Sequence, residues 1–169
     1  MINDNIQKGF SLVETLVAIT ILLVTIMGPL YAFQQSIQSH YIARDKLIAT
    51  ALAQDGMEYV RSIRDNNYLN GRPWLTSIDT CIGSGVLCNV DSVSDTVAVC
   101  PSVVCTALTL NSKKQYTHTS GLPYTKFYRT VNLTNTTNPN EEQVLVKVQW
   151  KNSVGTSTVN IISELYNWQ

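Results

Sequence analysis

From Lys8 to Phe33 the chain reads KGFSLVETLVAITILLVTIMGPLYAF. Across the 24 residues from Phe10 to Phe33 the only charged side chain is Glu14. At about 1.5 Å per residue, a helix of that length spans roughly 36 Å, enough to cross a hydrocarbon core of about 30 Å with some tilt. A secretory signal has a shorter apolar run followed by a small-residue cleavage site. Here the nearest such place, Leu30-Tyr31-Ala32, carries a bulky residue where a small one is wanted. The run is therefore read as an anchor that the chain keeps. Gly28-Pro29 interrupts it, and because proline removes a backbone donor and crowds the preceding turn, a helix break is expected there, as a kink or local unwinding. Thr20 and Thr25 are placed to satisfy freed carbonyls in part. A carboxylate within such a helix costs about 2.5 to 3.5 kcal/mol on insertion scales, which makes Glu14 a functional residue by default and one that needs a partner.

The rest of the chain is a different material. Of the 169 residues only 14% are charged, and the 12 basic and 12 acidic side chains balance to a formal net of zero. That balance gives no electrostatic reason to expect a nucleic-acid partner. An oily leading segment joined to a water-compatible remainder rich in Thr, Asn, Ser and Val argues against a wholly cytosolic soluble enzyme.

The polar residues 1–9 end in Lys8-Gly9, and Phe10-Ser11-Leu12-Val13-Glu14-Thr15-Leu16-Val17 follow at once. This junction resembles the processing and N-methylation site of type IV prepilins and type II secretion pseudopilins, over about the first quarter of the chain. The resemblance implies that a prepilin peptidase/methyltransferase cuts after Gly9 and methylates the new amino terminus of Phe10. It also implies a register role for Glu14. Once the leader is gone, the Phe10 amine is a positive charge at nearly the same membrane depth. Within one chain the two lie about a turn apart, near the positive end of the helix dipole. Between chains, the same pairing fixes the axial register of neighbouring subunits, and the resemblance favours that reading.

Beyond Phe33 the helical period continues in a more polar register. Ile37, Tyr41, Ile48, Leu52, Tyr59 and Ile63 recur at sums of three and four, with Arg44 and Asp55 as interruptions. Glu58 with Arg61, and Arg61 with Asp65, are spaced for surface ion pairs worth tenths of a kcal/mol each. Asp65-Asn66-Asn67 reads as the helix end. A continuous helix from Phe10 to about Arg64 makes a rod of roughly 80 Å, so its leading half is expected to project and to bury its apolar surface in lipid or against similar helices. The stretch from Leu52 to Asn67 resembles the junction in minor-pilin-like proteins. Asn70-Gly71-Arg72-Pro73-Trp74 reads as a loop, with Trp74 packing on the head or meeting another subunit.

Cys81, Cys88, Cys100 and Cys105 are separated by six, eleven and four residues. Zinc sites prefer tighter pairs, and no suitably placed histidine supports one, so no metal is assigned. Exported chains live where thiols oxidise, and a connector rich in Gly, Ser and Asp has little core of its own, so disulfides are expected. Of the three possible pairings we favour the local one, Cys81 with Cys88 and Cys100 with Cys105.

After Cys105 the period becomes two. Val144, Val146, Val148 and Trp150 share one face of a half-buried strand, Asn152-Ser153-Val154-Gly155 is a turn, and Thr156 to Tyr166 reads as the returning strand. Phe127, Val131 and Leu133 supply a third strand, and Cys105 to Leu110 a possible fourth. The expected fold is α+β and pilin-like: a long N-terminal helix, membrane-spanning in its first half, whose second half packs on an antiparallel sheet through Ala49 to Ile63. The boundaries read as 1–9 leader, 10–33 transmembrane and polymerising half-helix, 34–66 amphipathic half-helix, 67–106 connector loop and 107–169 sheet.

The sequence holds no glycine-rich phosphate loop, no G-x-S-x-G elbow and no H-E-x-x-H. His40 and His118 read as surface histidines, and the Asn132 and Asn135 sequons as chance matches in Thr- and Asn-rich loops. Tyr124, Phe127, Tyr128 and Trp168 read as core and edge aromatics rather than an adhesive patch. No catalytic residue and no cofactor is assigned. The reading is a structural subunit, a minor pilin or pseudopilin of a type IV pilus-like or type II secretion filament. Its partners are the peptidase, other subunits, a membrane assembly platform and the bilayer. Such a chain is a single-pass cytoplasmic (inner) membrane protein with its head outside the cytoplasm, then part of a surface pilus or periplasmic pseudopilus. The rivals are a monomeric tethered binding protein with an uncleaved signal anchor and a tethered exported hydrolase.

Overall fold

The computed structural model describes residues 9–101, 105–119, 122–153 and 155–167. Lys8 and the rest of the expected leader up to it, Val154 of the expected turn and Trp168 lie outside the described residues. The fold is α+β and pilin-like. One helix, α1, runs Leu12–Leu69. It is followed by a short 3-10 turn, Asp79–Cys81, and by seven strands: β1 Cys88–Asp91, β2 Thr96–Val99, β3 Thr109–Leu110, β4 Tyr116–Thr117, β5 Phe127–Asn135, β6 Glu141–Lys151 and β7 Thr156–Tyr166. By its contacts the chain divides into two units, residues 1–43 and 44–169.

In the first unit every described residue is exposed, and this part of α1 holds the one stretch among the described residues long and apolar enough to cross a membrane. The helix continues through Gly28-Pro29, with Pro29 inside it, so the expected break is not an interruption of the helix. Thr15, Thr20 and Thr25 each turn their hydroxyl back onto the carbonyl three residues earlier, those of Leu12, Val17 and Leu22, at 2.8–2.9 Å. None of these is the carbonyl of Thr25, the acceptor Pro29 has no N–H to serve. What the threonines achieve is to satisfy their own hydroxyls, which lets them sit in an apolar surface.

In the second unit a five-stranded sheet in the order β2-β1-β5-β6-β7 is antiparallel throughout, with β5, β6 and β7 forming the expected meander. β3 and β4 form a separate two-stranded ladder, so the possible fourth strand near Leu110 does not extend the main sheet. Strands β1 and β2 lie inside 67–106, so that segment is not a loop throughout. β1 joins the meander through Cys88 opposite Val131. Four-residue strands flanked by Gly, Ser and Asp carry too little period-two signal to be seen in sequence.

The alternation of β5 and β6 sends Phe127, Val131 and Leu133, with Val144, Val146, Val148 and Trp150, to one buried face. The helix residues that complete this core are Ala49, Leu52, Ala53, Met57 and Val60, with Gly56 buried among them. Ile37 and Tyr41, expected on the same apolar face, belong to the first unit and are exposed. Small residues on the seam bring helix and sheet close together. A Cβ on Gly56 would stand 3.1 Å from Arg129 Cδ and 3.2 Å from Val146 Cγ1.

The helix ends two residues later than expected. Asn67, read as part of a polar terminus, is buried and donates from Nδ2 to the carbonyls of Trp74 at 3.2 Å and Thr76 at 2.8 Å. Gly71, with φ of +62°, supplies the left-handed turn that terminates the helix, and its N–H reaches the carbonyl of Tyr68. Trp74 packs, partly buried, against the core.

Candidate functional site

The amino-terminal site begins with Gly9, Phe10 and Ser11, which precede the helix and are exposed. The carbonyl of Ser11 accepts the N–H of Thr15 at 3.1 Å, which makes Ser11 the N-cap position and Glu14 the third residue of the first turn. Serine at the cap and glutamate three residues on is the spacing of a capping box. The sequence carries that signal beside the charge and the resemblance that single out Glu14. At this place Glu14 faces the positive end of the helix dipole and lies one turn from Phe10.

From Phe10 to Phe33, fifteen large apolar side chains are exposed in the isolated chain, Phe10 and Leu12 at 79%. Leaving one such side chain in water rather than burying it forgoes about 1.5–3 kcal/mol. The total is on the order of tens of kcal/mol, against a folding stability of about 5–15 kcal/mol for an ordinary domain. This surface requires lipid or other apolar helices around it.

The second unit is held by polar contacts that the sequence reading passed over. Arg129 is wholly buried on the inward face of β5. Its Nη1 donates to the Leu52 carbonyl at 3.0 Å and to Asp55 Oδ2 at 2.5 Å, and its Nη2 donates to the Val90 carbonyl at 2.7 Å. Asp55 also accepts from the Ser92 hydroxyl at 3.0 and 3.1 Å. Asp55 is thus the ion-pair partner that lets a guanidinium stand in the core, tying α1 to β1 and β5, rather than an interruption of an apolar face. Period two from Phe127 to Val131 already placed Arg129 inward, and that was the available signal.

A second anchor is Asp91 at the end of β1. It accepts from the Thr117 hydroxyl at 2.5 Å and from the N–H groups of His118, Val93 and Ser94. Burial pushes its carboxyl up, but these hydrogen bonds outweigh burial and hold it at about 2. His118 is not an ordinary surface histidine. Neither ring nitrogen has a hydrogen-bond partner, and burial, with the Arg129 charge adding to it against the opposing pull of Asp91, lowers its pKa to about 4. Lys126, the residue before β5, pairs with Asp45 of α1 at 2.5 Å.

The structure joins Cys81 to Cys88 and Cys100 to Cys105. Among the expected surface pairs, Glu58–Arg61 forms at 2.7 Å, whereas Arg61 turns its other nitrogen to the Ser163 hydroxyl at 3.0 Å and Asp65 is met by Arg64. Asn132 of the first sequon is tied by Nδ2 to the carbonyls of Gly83 and Val86. Among the described residues no group of three or more His, Cys, Asp or Glu side chains stands where it could hold a metal ion.

Residues 4–28 match the family model described as the prokaryotic N-terminal methylation motif. Neither the curated proteins nor the solved structures gave a match to the chain. The motif belongs to structural proteins processed by prepilin peptidase and assembled with other pilin subunits, and it falls on the exposed apolar helix that fits membrane anchoring. With that motif on a long amino-terminal helix followed by an antiparallel sheet, the chain is similar to the type IV prepilin- and pseudopilin-like proteins over its amino-terminal segment.

Proposed function

We propose that the chain is a structural subunit, a minor pilin or pseudopilin, of a type IV pilus-like or type II secretion filament. It is cut between Gly9 and Phe10, methylated on the Phe10 amine and assembled through its apolar helix. The observation that carries this reading is the coincidence of the methylation motif with fifteen exposed apolar side chains and one carboxylate, Glu14. Lipid covers the apolar surface before assembly and neighbouring helices cover it afterwards. The carboxylate is matched in the filament by the Phe10 amine of the next subunit, at a depth where an unmatched charge costs about 2.5–3.5 kcal/mol. The two disulfides support a head that matures outside the cytoplasm, where thiols oxidise.

Replacing Glu14 tests the pairing. Glu14→Ala is expected to insert and to lose its leader normally, yet to be depleted from purified fibres relative to the membrane pool. Incorporation at the unsubstituted level removes the register role. Methylation keeps the amine positive, so Glu14→Asp, which retains the charge, is expected to restore part of the incorporation.

A further inference from the structure

The outer face of the sheet, opposite the one that α1 covers, carries a feature with no part in assembly through the first unit. A groove of about 640 Å³ lies over β5 and β6. Its floor takes Tyr128 and Thr130 from β5 and Lys147, Gln149 and Lys151 from β6. Pairing of Tyr128 with Gln149 and of Thr130 with Lys147 puts these side chains on one face. Leu87 and Cys105, each beside or within a disulfide, contribute to the lining, and Thr156 of β7 completes it.

Three features define what fits. The lining has three lysines and no acidic residue. Asp45 answers Lys126, but Lys147 and Lys151 form no ion pair among the described residues. They lie four residues apart on one strand, about 13 Å along it. Second, the remaining floor is hydroxyl, amide and a single half-exposed aromatic ring, Tyr128. Third, Leu87 and Cys105 add apolar surface to the lining.

We infer that this groove binds an acidic polysaccharide, with Lys147 and Lys151 meeting carboxylates on separate sugars of one chain. Hydroxyl and amide side chains match a polyol, and one ring is enough to cover one sugar face. An acidic peptide fits less well. Where β5 faces β6 all nine of its residues are paired, so no main-chain pairing is on offer between those strands. Single-stranded nucleic acid asks for successive stacking platforms, and phosphate is best held by arginine forks; the groove supplies one aromatic platform and no arginine.

Calorimetry on the full chain in detergent micelles tests this with three probes: an oligogalacturonate, the same oligosaccharide fully methyl-esterified, and oligo-dT of similar charge. The oligogalacturonate is expected to bind, more weakly as salt rises, while the neutral ester does not. Lys147→Gln/Lys151→Gln is expected to weaken binding roughly tenfold or more with the thermal midpoint unchanged. Should that variant misfold, Thr156→Glu, an exposed position at the rim, introduces repulsion and is expected to weaken binding in the same direction. Absence of oligogalacturonate binding, binding unaffected by these substitutions in a folded chain, or oligo-dT bound as tightly overturns the inference.

Discussion

Arg129 shows how a single residue sets the packing of the head. A guanidinium with no exposure is tolerated because two backbone carbonyls and Asp55 receive it, and Gly56, one residue further along the helix, leaves room for its stem. Arg129→Met is expected to destabilise the head by about 2 kcal/mol, since it removes the hydrogen bonds to the carbonyls of Leu52 and Val90 and the partner of Asp55. Chemical denaturation of the full chain in micelles reads this as a lower midpoint with an unchanged slope. His118 sets a pH dependence. Its folded value is about 4 against an ordinary 6.5, so between those limits the unfolded chain binds more protons and stability falls as the pH drops. Asp91, held at about 2 against 3.8, adds a further loss only below about pH 4. Thermal midpoints are therefore expected to decline from pH 6.5 to 4 and, in His118→Gln, to stay flat over that interval before falling. The sequence places Arg129 on a strand, but the Leu52 carbonyl and Asp55 that receive it are 77 and 74 residues away in the chain, and the Thr117 hydroxyl on Asp91 is 26 away, so no local pattern reveals them.

The elements were legible where their period was sustained. The long apolar and amphipathic run became α1, and three eleven- or nine-residue strands became the meander, because each repeats its pattern often enough to outweigh local exceptions. The exceptions have physical reasons. Pro29 remains within the helix because proline forfeits one hydrogen bond without forcing the rest to melt. Asn67 continues the helix because its side chain finds two carbonyls that a solvent-exposed terminus lacks. The Cys81–Cys88 bridge makes the 67–106 segment part of the sheet, for Cys88 is in β1 and pairs with both Val99 and Val131. Cys81→Ser/Cys88→Ser is expected to cost about 3 kcal/mol, from the lost constraint on the unfolded chain and two hydroxyls placed at buried positions. Loss of hydrogen-exchange protection confined first to β1 and β2 is the accompanying signature, while β6 and β7 stay protected.

At the scale of the whole molecule, two kinds of surface have to be accounted for. Residues 44–169 bury an ordinary core and leave a mixed polar exterior, as a water-soluble domain does. The helix up to residue 43 buries nothing within the chain, and tens of kcal/mol of apolar exposure set its requirement for lipid or for like helices. The amino-terminal junction was readable from sequence because its chemistry is local: a basic residue, glycine, phenylalanine and an acid four positions later. The groove on the outer sheet face was not, since it is assembled from β5, β6 and the disulfide-bearing segments, which meet only in the fold. The most direct test of assembly through Phe10 and Glu14 is the intact mass of the chain isolated from its native membrane or fibre. Removal of residues 1–9 with one methyl on the new terminus is the predicted result. A chain that retains those nine residues, with an unmodified Phe10 and no partner copies, contradicts it.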